Sequence, residues 1–137
     1  MSDPITPEQR ARPLSPHIQI YRWTLTMMLS ILHRATGVAL YVGTLLLAWW
    51  LLAAATGPEA YAQVQAVSSA WYGQVVLFGY SWALLHHMFG GLRHFIWDTG
   101  RGFDLRHVEI IARVTAIAPI VLTALVWVAA YSYLGAF

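Results

Sequence analysis

Apolar residues fall into three long runs separated by short polar breaks. From Val38 to Pro58 no residue is charged, and apolar character reaches back to Trp23 across Ser30, His33 and Arg34. A hydrocarbon core is crossed by about 20 helical residues. A helix over about 24–55 is therefore longer than it must be, and tilt or an interfacial first third absorbs the excess. Thr56-Gly57-Pro58-Glu59 ends it. A second run starts near Val64 and predicts a helix over about 64–97, stopped by Thr99-Gly100-Arg101-Gly102. The third, about 110–134, contains Pro119, which a membrane helix tolerates as a kink. Residues 1–23 are polar and broken by Pro4, Pro7, Pro13 and Pro16, so they are expected outside the bilayer core. The pattern predicts an all-α membrane protein: a polar N-terminal segment, 1–23, and a three-helix transmembrane domain, 24–137.

Composition agrees. Hydrophobic residues make up 58% of the 137-residue chain and charged residues 10%, where a soluble domain has about 45–50% and about 25%. A net charge of +2 with no basic run argues against a nucleic-acid partner. Cysteine is absent, which excludes disulfides, thiolate metal sites and covalent haem attachment. The first sixteen residues lack an apolar stretch and carry Asp3 and Glu8, unlike a secretory signal or a transit peptide.

All eight basic residues are arginine, and their placement sets the topology. Arg10, Arg12 and Arg22 precede the first span; Arg101, Arg106 and Arg113 lie between the second and third. The 56–63 loop and the tail after Tyr133 have none. The positive-inside rule then puts the N-terminus and the second connection on the cytoplasmic side.

This topology brings two polar clusters to one membrane face. Ser30, His33, Arg34 and Gly37 recur at i, i+3, i+4 and i+7, one stripe of a helix. A hydroxyl, an imidazole and a guanidinium on one face suit carboxylates or a quinone carbonyl oxygen. On the second span His87, Gly91, His94 and Asp98 form one stripe, and His86, Gly90, Arg93 and Trp97 its neighbour. Arg93, His94 and Asp98 read as boundary residues that snorkel. His86 and His87 lie deeper, where an ionisable group points to function.

An axial haem ligand needs an imidazole with a small residue one turn away, so that the flat macrocycle can approach. Both stripes offer that, and spacing does not choose between His86 and His87. With the uncharged runs taken as hydrocarbon, His33 sits at the boundary and His87 roughly 9 Å deeper. That mismatch assigns His33 to haem propionates and leaves the second axial ligand to another chain. A bare metal site lacks a nearby carboxylate or thiolate set. His17 and His107 read as solvated or partner-facing. Gly43, Ala48 and Ala53–Ala55 suit close helix contact, expected with another subunit.

Three motifs in order carry a resemblance: Arg12-Pro13-Leu14-Ser15-Pro16-His17, then Ser30-Ile31-Leu32-His33-Arg34-Ala35-Thr36-Gly37, then His87 with Gly91, Arg93, His94 and Asp98. Together they resemble the cytochrome b membrane-anchor subunit of succinate dehydrogenase, respiratory complex II, in its mitochondrial and alphaproteobacterial branch. The resemblance implies a four-subunit complex with a flavoprotein, an iron–sulfur subunit and a second membrane anchor. It implies haem b shared with that second anchor, with His87 as the axial ligand and the other axial histidine supplied by the partner. His33 and Arg34 match positions near the propionates. Ser30 and Arg34, with Ile31 lining, match the ubiquinone site. His86 and the Gly90–Gly91 doublet lie outside the matched pattern. The implied placement is the bacterial cytoplasmic (inner) membrane, with the mitochondrial inner membrane as the second option. The competing readings are a haem-free anchor that only docks soluble subunits, and a small transporter. The latter would need polar groups across the whole span, and the other half of each span is apolar.

Overall fold

The computed structural model describes residues 6–7 and 15–135. Part of the Arg-Pro-Leu motif, Arg12 to Leu14, and the topogenic Arg10 lie outside the described residues. The order is α1 (His17–Ile20), α2 (Leu25–Thr56), α3 (Pro58–Ser69), α4 (Trp71–Asp98) and α5 (Leu105–Tyr133). α2, α4 and α5 are each long and apolar enough to cross a membrane. Over an 18-residue window mean hydropathy is 2.0 in α2 and 2.1 in α5 but 1.2 in α4.

Local chemistry sets the ends. The Thr24 hydroxyl accepts from the Met27 amide at 3.4 Å and starts α2. Gly57 at φ 140° turns the chain out of α2, and Pro58 opens α3 as its first residue. Asp104 caps α5 by accepting from the His107 amide at 3.1 Å. Thr123 donates to the Pro119 carbonyl at 2.7 Å within α5.

Two boundaries differ from the sequence expectation. The apolar run expected as one helix over 64–97 is broken at Ala70, which is extended at ψ 151°. No Gly or Pro marks the break. Instead Ser68 and Ser69 donate back to the Gln65 and Ala66 carbonyls, and the Gln74 amide donates to the Ser68 carbonyl at 2.6 Å. α3 thus packs across the start of α4, where Gly73 is needed. A Cβ there would overlap the Val67 carbonyl. α5 starts at Leu105 rather than 110, so Arg106, His107, Glu109 and Arg113 lie in its first turns, with Arg113 paired to Glu109 at 2.5 Å.

The spans pack through small residues and hydroxyls. Buried apolar positions are Leu29, Ala53, Val64, Ala83 and Ala112; Thr36, Thr115 and Thr123 are also buried. Gly43 of α2 admits the Tyr80 ring of α4. Tyr131 of α5 donates to Gln74 at 2.8 Å, and Trp127 donates to Ser81 at 3.2 Å. Large aliphatic residues such as Val38 and Leu45 face outward, as lipid or a partner helix requires.

Candidate functional site

The antiparallel crossing of α2 and α4 brings the start of one span against the end of the other. His33 and His87 meet there face to face, with ring centroids 4.1 Å apart and planes 7° from parallel. His94 adds a third ring 5.4 Å from His33. The close approach depends on Gly90, where a Cβ would strike the His33 ring, and on Gly37, where a Cβ would lie 3.0 Å from His87 Cε1.

The predicted difference in depth between His33 and His87 is therefore wrong, because α2 is already helical from Leu25 and its first turns are level with the end of α4. The two rings are stacked face to face, so they do not direct their nitrogens at one point between them and are not arranged as a ligand pair for one metal.

His87 is oriented by α2. Its Nδ1 lies 3.1 Å from the His33 carbonyl and 3.4 Å from Thr36 Oγ1. A carbonyl can only accept, so Nδ1 carries the proton and Nε2 keeps its lone pair, the tautomer of a metal-ligating histidine. His87 is half-buried, and the space over Gly91 is open, as a flat macrocycle requires. These residues fit a haem on that side.

The two stripes of α4 part company. His86, Gly90 and Arg93 turn into the chain's interior, with His86 2% exposed and Arg93 3% exposed. His86 stacks on Trp82 at 5.3 Å, and the guanidinium of Arg93 lies 5.0 Å from the Trp97 ring centroid. Arg93 is not the snorkelling boundary residue its position suggests. The Trp97 face takes the place of water over its cation. Both His86 nitrogens, and Nε and Nη1 of Arg93, lack a hydrogen-bond partner among the described residues. Spacing could have signalled this, since Trp97 stands one turn beyond Arg93. By contrast His94 and Asp98 are exposed, as boundary residues are.

On α2 the polar stripe is split lengthwise. His33 and Gly37 form the edge that packs on α4, while Ser30, Ile31 and Arg34 remain exposed. Arg34 Nε donates to the Ser30 carbonyl at 3.3 Å, which holds these two residues together on the open face. His107 is accounted for locally by its pairing with Asp104. His17 is exposed in α1. Among the described residues no three His, Asp or Glu side chains converge on a bare metal site.

A family model described as the succinate dehydrogenase/fumarate reductase transmembrane subunit matches residues 8–132. The chain belongs to this family. Its relatives include the succinate dehydrogenase cytochrome b556 subunit of Paracoccus denitrificans, 41% identical over 114 residues that cover 83% of this chain and 88% of the relative. The protein of the same name from Rickettsia felis is 38% identical, covering 85% and 91%. The mitochondrial cytochrome b560 subunit of Sus scrofa is 41% identical over 98 residues, 69% of this chain and 57% of that one. Family membership and three apolar spans make the chain a multi-pass membrane subunit of the bacterial inner membrane.

Proposed function

We propose that this chain is the cytochrome b anchor of a succinate:ubiquinone oxidoreductase. It would hold one side of haem b and complete part of the ubiquinone-reduction site. The observation that carries the reading is the orientation of His87: Nδ1 is tied to the His33 carbonyl, which leaves Nε2 as the nitrogen for a ligand, and one turn on no atom lies within 4 Å of a Cβ on Gly91. The names of its cytochrome b556 relatives support the same cofactor.

In this reading His87 is one axial ligand, and a second membrane anchor supplies the other. His33 and Arg34 hold the propionates. Haem b, when bound, supplies one-electron storage. The flavoprotein oxidises succinate, and the iron–sulfur subunit delivers electrons to the membrane face, which is cytoplasmic by the placement of arginines.

Reduction of ubiquinone to ubiquinol takes two electrons and two protons. Arg34 is a fixed cation in a low-dielectric setting, and it stabilises negative charge that develops on a quinone oxygen. The Ser30 hydroxyl donates to one carbonyl, passes it a proton and is reprotonated from the aqueous side, while the second proton reaches the other quinone oxygen from water at the same membrane face. Ile31, exposed beside them, lines the ring site. Purification in mild detergent should yield co-purifying flavoprotein, iron–sulfur and second anchor chains, with a b-type pyridine haemochrome spectrum. Haem content unchanged in His87→Ala would overturn the axial assignment.

A further inference from the structure

The geometry points to Thr36 as the positioning residue that sets the orientation and basicity of His87, an inference that rests on His87 being an axial ligand. Thr36 is 4% exposed and sits where α2 crosses α4. Its Oγ1 lies 2.8 Å from the Leu32 carbonyl, 3.0 Å from the His33 carbonyl and 3.4 Å from His87 Nδ1. The hydroxyl has one proton, and the two carbonyls of its own helix compete for it. The oxygen's lone pairs are then left for the Nδ1 proton of His87. That proton is shared between the His33 carbonyl and Thr36, so the ring has two acceptors on one edge. Gly37 adds a steric stop, since its backbone admits His87 Cε1 only because no Cβ is present. The His33 carbonyl sets the tautomer, and two consecutive residues of α2, Thr36 and Gly37, set the tilt of a ring on α4.

A partner that accepts the Nδ1 proton makes Nε2 a better donor to a metal, and ferric iron gains more from this than ferrous iron. Thr36→Val keeps the shape and removes the acceptor. It leaves no helix carbonyl unpaired, because Leu32 and His33 keep their backbone amide donors.

The test uses the intact detergent-purified complex. Haem content, rate of haem loss and midpoint potential by optical titration are compared for wild type, Thr36→Val and Thr36→Ser. The expected result is faster haem loss in Thr36→Val and an about tenfold weaker preference for the ferric state. For one electron that is an upward shift of about 59 mV. Thr36→Ser, which keeps the hydroxyl, should match wild type. Equal potentials in Thr36→Val and wild type would overturn the assignment, and so would a shift in Thr36→Ser equal to that in Thr36→Val. Should the valine variant fail to assemble, Thr36→Ala removes the same hydroxyl with less bulk and is read by the same criteria. A His87→Ala control that retains full haem would show instead that the underlying ligand assignment had failed.

Discussion

The imidazole of His33 lies flat on that of His87, 4.1 Å away and within 7° of parallel. In the proposed reading His87 ligates and His33 supports it. Stacked rings contribute about 0.5–1.5 kcal/mol beyond the area they bury. His33→Ala should therefore weaken haem retention while preserving the low-spin optical spectrum of the haem that remains. His87→Ala should abolish the spectrum. A low-spin signal lost equally in both variants would contradict the assignment of separate roles.

Gly90 and Gly91 are adjacent in sequence yet should respond differently to alanine. A Cβ on Gly90 meets the His33 ring, whereas one on Gly91 meets nothing within 4 Å. Overpacking of this kind costs about 1–3 kcal/mol, which outweighs the about 0.5–1 kcal/mol that alanine gains over glycine in a helix. Gly90→Ala should lower the thermal stability of the purified complex. Gly91→Ala should leave the packing of α2 on α4 intact and, if the proposed haem lies over this position, reduce haem content. Parallel melting curves and haemochrome assays separate the two effects.

Arg34 and Ser30 stand on the exposed edge of α2, apart from the histidine stack. Arg34→Leu should abolish succinate–quinone activity while the flavoprotein still reduces an artificial dye with succinate. A parallel fall in both activities would indicate a role in assembly instead.

Near the middle of the same helices, the Tyr80 ring occupies the space beside Gly43. Gly43→Ala should destabilise by about 1–3 kcal/mol. Tyr80→Ala in the same chain should relieve the clash, so the double variant should be less destabilised than the sum of the singles. Coupling of about 0.5–3 kcal/mol is the range for residues in contact. Additive losses would mean that the two residues do not compete for one space.

Asp104 supplies a pH-dependent cap outside the membrane span. The His107 backbone amide, followed by the His107 side chain, holds its carboxyl below the ordinary value of 3.8. The folded value is depressed, so the stabilisation is present above the unfolded value and is lost as pH falls through the lowered one. Amide protection factors in the first turn of α5, corrected for the intrinsic pH dependence of exchange, should be high near neutral pH and fall below about pH 4. Asp104→Asn should retain the cap with a flatter pH profile, and Asp104→Ala should expose that turn at every pH.

The three spans were legible because hydropathy over twenty residues is a strong signal, and Gly57, Pro58, Gly100 and Gly102 punctuate them. The break at Ala70 was not legible, since serine hydroxyls and the Gln74 side chain make it without any helix-breaking residue. His86 and His87 were indistinguishable by spacing. Only the packing of α2 shows that Gly90 is occupied and Gly91 is open. The level of His33 with His87 is not legible in the charge pattern, because it comes from the antiparallel packing of α2 on α4. The burial of Arg93 is not legible because its partner, Trp97, is aromatic and carries no charge to read. Ser30 and Arg34 are legible as residue types, and the structure adds that they face outward.

The bond from His87 Nδ1 to the His33 carbonyl spans 54 positions of sequence. During synthesis the first span must wait for those residues, roughly 3–11 s at about 5–20 residues per second. Throughout that interval the His33 carbonyl has no imidazole from α4 to accept from. The contact between α2 and α4 therefore closes only after the second span has been made.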